Sequence, residues 1–179
     1  MNELDHRLFL WLNSFHNSYF DAMMLFVSRK QSWYLLYLMI VLLILKEDCK
    51  KGIKKIIGII VAVTLSDQFC SSLLKPFFKR LRPCYDPDLQ GLIHQVGDCG
   101  GQFGFASSHA ANSFALVVML ILFYRQKSPW MYFGLIWATL IAYSRIYLGV
   151  HFPADVLVGA LVGTLFSASI FNIYRKKSF

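Results

Sequence analysis

A chain of 179 residues that is 56% hydrophobic and 16% aromatic, with a mean hydropathy of +0.49, is too apolar for an ordinary soluble domain of its length. Its net charge of +8 raises nucleic acid as a ligand, but the basic residues gather on no single soluble face and no recognition motif accompanies them, so that class is set aside. The expected fold is all-α: a polytopic membrane helical bundle of about six transmembrane helices, one domain over residues 1–179, with the lipid bilayer as its surroundings.

In chain order, Glu3 and Asp5 come first, with no basic n-region, so a removable signal peptide is not expected. Residues 8 to 28 are apolar but interrupted by Asn13, His16, Asn17 and Asp21; part of this stretch reads as an interfacial helix, and five crossings or a re-entrant start is the alternative count. A shorter apolar run follows at 33 to 45. Runs at 55 to 74, 107 to 124, 129 to 148 and 153 to 174 approach or reach the roughly 20 residues that a spanning helix needs. Ser107 suits the N-cap of the helix behind it, and Pro153 suits the first turn of the last helix. Asp67, inside a predicted helix, is expected to hydrogen-bond a neighbouring one. Between residues 80 and 106, Pro83, Pro87, Gly91, Gly97, Gly100, Gly101 and Gly104 break any periodicity and predict a long loop, a length more often functional than incidental.

Alternating crossings put Lys46, Lys50, Lys51, Lys54, Lys55, Arg125, Lys127, Arg175, Lys176 and Lys177 on one side. These are ten of the eighteen basic residues, so that side is cytoplasmic by the positive-inside rule. The 29 to 32 turn, the 80 to 106 loop and the 149 to 152 turn then face outward, to the periplasm or exterior of a plasma (inner) membrane. Three polar clusters share that outward face: Lys75 with Arg82-Pro83, Ser107-Ser108-His109, and Arg145 with His151 and Asp155.

Two helix starts at one face offer unpaired N–H groups and positive dipole ends, which is an anion site. Arg82 and Arg145 add forks matched to phosphate oxygens and Lys75 a compact charge, enough to stabilise phosphoryl transfer with no metal and no cofactor. His151 with Asp155 reads as a nucleophile and its orienting carboxylate; His109 reads as the acid that protonates the leaving oxygen. Their opposite protonation states predict a bell-shaped pH profile. His6, His16 and His94 read as satisfied interfacial residues, and Lys79 and Arg80 as interfacial anchors.

The three clusters, in order, resemble the type 2 phosphatidic acid phosphatase (PAP2) superfamily, whose pattern is K-x6-R-P, then P-S-G-H, then S-R-x5-H-x3-D. Here they read Lys75 to Pro83, Ala106-Ser107-Ser108-His109, and Ser144-Arg145 through His151 to Asp155. Ala106 and Ser108 depart from the usual proline and glycine, which bears on local backbone geometry. The resemblance implies a helical membrane phosphatase that hydrolyses a lipid phosphate or diphosphate through a phosphohistidine. Its phosphate ligands would be Lys75, Arg82, Ser107, Ser108 and Arg145, the latter set aided by the backbone at Ser108 and His109; His151 would be the nucleophile, Asp155 its partner and His109 the acid.

Small size and minimal loops put undecaprenyl diphosphate first among substrates, with a lipid A phosphate or phosphatidylglycerophosphate as alternatives. A vanadate-dependent haloperoxidase would share the motifs but is a soluble class, and a non-enzymatic lipid transporter would tolerate loss of His151. Cys84 and Cys99 fall in the same outward loop, where an oxidising compartment allows a disulfide; a bridge there would hold the loop as a lid. The sequence says nothing of oligomeric state.

Overall fold

The computed structural model describes residues 2–126 and 128–177, so Lys127 of the expected inward turn lies outside the described residues. Eight α-helices are present: α1 (Asn2–Asn13), α2 (Ser18–Ser28), α3 (Tyr34–Glu47), α4 (Cys49–Gln68), α5 (Lys75–Phe78), α6 (Ser108–Tyr124), α7 (Gly134–Tyr147) and α8 (Pro153–Lys177). Among the described residues there is no strand, only an isolated bridge between Leu81 and Phe103. The chain is therefore all-helical, as its composition led one to expect.

A π-helical segment, Phe69–Leu74, joins α4 to α5, so Cys49–Phe78 runs as one rod of 30 residues that contains an 18-residue stretch of mean hydropathy 1.7. With α8, whose Pro153–Lys176 portion contains an 18-residue stretch of mean hydropathy 2.0, it is long and apolar enough to cross a bilayer by length and composition. The 17 residues of α6 span about 25 Å, slightly less than a hydrocarbon core of about 30 Å. A short 3-10 turn precedes each of α3 and α7, at Lys30–Trp33 and Pro129–Phe133, and lengthens them.

The stretch 8 to 28 is not one helix, and the structure does not bear out a sixth crossing there. It breaks into α1 and α2, about 18 and 17 Å long, roughly half the apolar thickness each. The cause is local polar chemistry. Asn17 accepts hydrogen bonds from the backbone N–H groups of Tyr19 and Phe20 and so starts a new helix. Asn13, buried, donates to the carbonyl oxygens of His94, Ile146 and Tyr147 and accepts from the His94 N–H. Both ends of both helices touch the same end of the bundle: Asp5 and Asn13 in α1, and Asn17 and Ser28 around α2, all contact residues of the 80–106 loop or the turns at 145–154. The pair lies across that end as a cap.

The other end gathers the basic loop. Asp48 caps α4 by accepting from the Lys51 N–H, and Lys55 reaches Glu47 at 3.3 Å and the Tyr124 hydroxyl at 3.0 Å, tying the ends of α3 and α6 to the start of α4. Long helices thus alternate in direction, with Lys75, Ser107, Arg145 and Pro153 at one end of the bundle.

The closest helix pair is α6 with α8, and its sequence signature is Gly159, Gly163 and Ser167, one small residue per turn. A Cβ at Gly159 would land on the Ser107 carbonyl and one at Gly163 on the Ala111 carbonyl, so only glycine permits this approach. Ser167 completes the stripe by donating to the Ala115 carbonyl at 2.9 Å. Asp67 accepts from Asn112 of α6 at 2.8 Å, the neighbouring-helix bond expected for an acid at that depth. Outward faces remain apolar, with Leu35, Leu38, Leu42, Ile57 and Ile60 exposed.

Candidate active site

The site is built where the ends of α5, α6, α7 and α8 meet. The π-helical segment ahead of Lys75 changes the register of the rod, and a left-handed Lys79 terminates it. Lys75 Nζ donates to Ser108 Oγ at 3.1 Å, joining the first motif to the second.

Beyond Lys79 the chain is extended and pairs briefly with the glycine-rich segment: Arg82 N donates to Gln102 O at 3.1 Å and Gly104 N to Arg80 O at 2.9 Å. In an extended segment, residues two apart share a face, so Arg80 and Arg82 are both directed to the site. Arg82 is buried, and its Nη1 lies 3.4 Å from both the Val150 carbonyl and His151 Nε2.

The third motif folds back on itself. Gly149, at φ +75°, makes the turn, and the N–H groups of Val150 and His151 both donate to the Arg145 carbonyl, at 3.1 and 3.2 Å. That loop brings His151 beside Arg145. His151 Nδ1 then faces Asp155 Oδ2 at 3.4 Å, and the same oxygen accepts from the Phe152 N–H at 3.0 Å. Arginine can only donate, so the network assigns the His151 proton to Nδ1, toward Asp155, and leaves the Nε2 lone pair toward Arg82. Ser107 N donates to the Asp155 carbonyl at 2.9 Å, locking the start of α6 to the start of α8.

Ser107 occupies the N-cap position, as expected, but its hydroxyl makes no capping bond. Ser107 Oγ, Arg82 Nε and Arg145 Nε are instead buried without a protein partner. Buried donors left unpaired each cost about 1–3 kcal/mol, so three from one ligand set mark a place for an anion. Arg145 Nη1 is held by Ser28 Oγ at the end of α2.

His109 lines a cavity of about 460 Å³ that has Ser28 and Lys30 near it and apolar walls from Ile40, Ile44, Ile56 and Ile59, reaching far along α3 and α4. His151, in the turn outside the helices, is held well below the ordinary imidazole range by burial first and then by the charges of Arg82, Arg145 and Lys75. A backbone hydrogen bond to Gly104 opposes the shift.

All eight sequence-assigned residues sit at this end of the bundle. Three features of the site were not read as such from the sequence. Arg80 is not an interfacial anchor: it is mostly buried and pairs with Asp155 at 2.9 Å and Asp5 at 2.5 Å. Ser28 holds Arg145. A Cβ on Gly104 would sit 3.1 Å from Asp155 Oδ2 and Arg82 Cγ, so the loop passes closely by the His–Asp pair and a larger residue there would push against it. Cys84 and Cys99 are bridged, as the sequence allowed, and the bridge ties together the two segments that lead to Arg82 and to Gly104. His94 is satisfied within the protein: Nε2 contacts Asp21 at 2.8 Å and its ring stacks on His16.

Fold and site together define an all-helical protein with buried, unpaired donors beside a His–Asp pair. Comparison with known proteins identifies its family. The PAP2 superfamily model matches residues 56–179. The chain is 36% identical over 167 residues to a lipid A 4'-phosphatase of Bacteroides thetaiotaomicron, covering 91% of this chain and 73% of the relative. An undecaprenyl-diphosphatase of Sulfolobus acidocaldarius is 31% identical over 165 residues, covering 89% and 73%. The crystal structure of Aquifex aeolicus LpxE superposes with a TM-score of 0.75 at 28% identity, covering 94% of this chain and 95% of that one. The chain belongs to the PAP2 superfamily and is a phosphoric ester hydrolase.

Proposed function

We propose that residues 1–179 form a single integral membrane domain that hydrolyses a phosphate ester on a lipid A-type glycolipid. The observation that carries the phosphate part is the set of orphaned donors, Arg82 Nε, Ser107 Oγ and Arg145 Nε, beside a His–Asp pair. The apolar cavity at His109 supports a lipid, since it accepts hydrocarbon while the headgroup stays at the bundle end. Greater likeness to the lipid A 4'-phosphatase than to the undecaprenyl-diphosphatase reverses the order expected from size alone. Undecaprenyl diphosphate becomes the second reading.

In this mechanism Lys75, Arg82 and Arg145 carry the phosphate charge, with Ser107 Oγ and the backbone at Ser108 and His109 completing the cradle. His151 Nε2 attacks phosphorus, the bond from phosphorus to the leaving oxygen breaks, and His109 gives that oxygen its proton. Water, deprotonated by His109, then splits the phosphohistidine and releases inorganic phosphate. Asp155 holds the Nδ1 proton and stabilises the ring as it becomes positive. In the membrane, α3, the α4–α5 rod, α6, α7 and α8 make five crossings, while α1 and α2 lie at the outward interface. The basic end faces the cytoplasm and the site and the 80–106 loop face the exterior of a plasma (inner) membrane.

The test is phosphate release by purified protein in EDTA from three lipids: a phosphorylated lipid A-type disaccharide, undecaprenyl diphosphate and phosphatidylglycerophosphate. The glycolipid is expected to have the highest kcat/KM. Release from none of them would end the phosphatase reading, and a higher kcat/KM for undecaprenyl diphosphate would restore the second one.

A pH series on the same material checks the state of His151. Because its native pKa is depressed, the free enzyme keeps Nε2 unprotonated below the unperturbed value of about 6.5. The acidic limb of kcat/KM should lie below that value. Stability follows the same sign: an unfolded chain binds a proton at His151 below about 6.5 that the native state refuses. The contribution is complete above that pH and lost as pH falls through the depressed value. An acidic limb above about 7 would contradict the assignment.

A further inference from the structure

Asp155 uses both oxygens, and only one faces the nucleophile. Oδ2 serves His151 Nδ1 and the Phe152 N–H, while Oδ1 accepts from Arg80 Nη1 at 2.9 Å. Arg80 Nη2 in turn reaches Asp5 Oδ2 at 2.5 Å, and Asp5 Oδ1 accepts from the Ala154 N–H at 3.0 Å, in the first turn of α8. The guanidinium carbon also lies 4.1 Å from the centroid of Phe152, a ring that stacks on His6 of α1 at 4.9 Å. The Arg80 backbone is fixed as well, since its carbonyl accepts from Gly104. The guanidinium is therefore held at both terminal nitrogens and over one face, on a backbone that is itself bonded.

We propose that Arg80 is a positioning residue for the Asp155–His151 pair, and that Asp5 of the first helix holds Arg80 in that role. It rests on the reading of His151 as nucleophile. The physical argument is geometric. A carboxylate with no solvent exposure, bound at one oxygen only, could rotate about its last torsion and lose the line from Oδ2 to Nδ1. The planar fork of Arg80 clamps the other oxygen and supplies the counter-charge that a buried carboxylate requires. Asp5 makes the clamp rigid by binding the second nitrogen of the fork and α8 together, so the carboxylate, the arginine and the helix that carries the carboxylate form a closed ring of contacts. Arg80 does not touch the phosphate ligands' orphaned donors; its effect passes through Asp155. It therefore acts on the chemical step and leaves phosphate binding alone.

The experiment uses the full chain in detergent micelles, with phosphate release from the best lipid of the panel and inorganic phosphate as a competitive inhibitor. Arg80→Gln is expected to lower kcat about 10- to 100-fold, as loss of an outer orienting partner does elsewhere. KM and the phosphate inhibition constant should stay within about threefold. Arg80→Lys, which keeps the charge but not the fork, should recover part of kcat, and Asp5→Asn should lower kcat by less than Arg80→Gln. A wild-type kcat in Arg80→Gln overturns the proposal. So does a loss carried by KM and the inhibition constant, which would make Arg80 a phosphate ligand. Should Arg80→Gln not fold, Arg80→Lys and Asp5→Asn decide, and wild-type kcat in both overturns it. His151→Ala runs in parallel. Activity surviving there defeats the nucleophile reading, whereas an inactive His151→Ala beside an unimpaired Arg80→Gln defeats the role of Arg80 alone.

Discussion

Replacing His151 with alanine is expected to lower kcat by on the order of 10⁴- to 10⁶-fold, the range seen when a covalent nucleophile is removed. The expectation follows from how completely this ring is specified. It is buried, its Nδ1 proton is directed to Asp155, and its other nitrogen has no competing donor except Arg82, which a bound phosphate would share. The buried hydroxyl of Ser107 lies at the site but has no base hydrogen-bonded to it, so it is not activated as a substitute nucleophile. Rapid quenching with a labelled substrate supplies an independent readout. Label should appear on His151 as an acid-labile adduct in the wild type and vanish in His151→Ala. Activity above about 1% of wild type, or label on another residue, would sink the nucleophile assignment.

Arg82→Ala should cost about 10³-fold or more in kcat/KM, with most of the loss in kcat. Phosphoryl transfer spreads charge over the equatorial oxygens, and a guanidinium fork within that charge is worth more in the transition state than in the ground state. Arg82 is well placed for this. It is buried, so its field is poorly screened, and Nη1 already lies 3.4 Å from His151 Nε2, where the transferred group would pass. Lysine at this position should rescue little, because a point charge cannot serve two oxygens and the histidine line at once. A variant with raised KM and unchanged kcat would show that Arg82 only binds the ground state.

That the eight expected site residues meet was legible because the spacing of motifs survives folding: Lys75 to Arg82, Ser107 to His109 and Arg145 to Asp155 each lie within a few residues of a helix end. What the sequence hid depends on contacts far apart in the chain. Asp5 meets Arg80 and Ala154, and Ser28 meets Arg145, pairings that no local pattern encodes. Arg80 did leave a local trace, its two-residue offset from Arg82, but that becomes meaningful only once residues 80–82 are known to be extended. The break between α1 and α2 was also readable in principle, since Asn17-Ser18 is a helix start. Hydropathy averaging concealed it, because the residues on either side are apolar. The Gly159, Gly163, Ser167 stripe belongs to the same kind of signal, visible as a period of four once helix packing rather than span length is the question.

The bond from Asp5 to the Ala154 N–H joins the first helix to the last. A ribosome adding about 5–20 residues per second needs on the order of 10–30 s to make the chain between them. Until then Asp5 lacks Ala154, Arg80 lacks Asp155, and the His–Asp pair is not complete. Hydrolysis can begin only after α8 has docked, so lipid turnover by a nascent population reports the fraction of molecules whose insertion is finished.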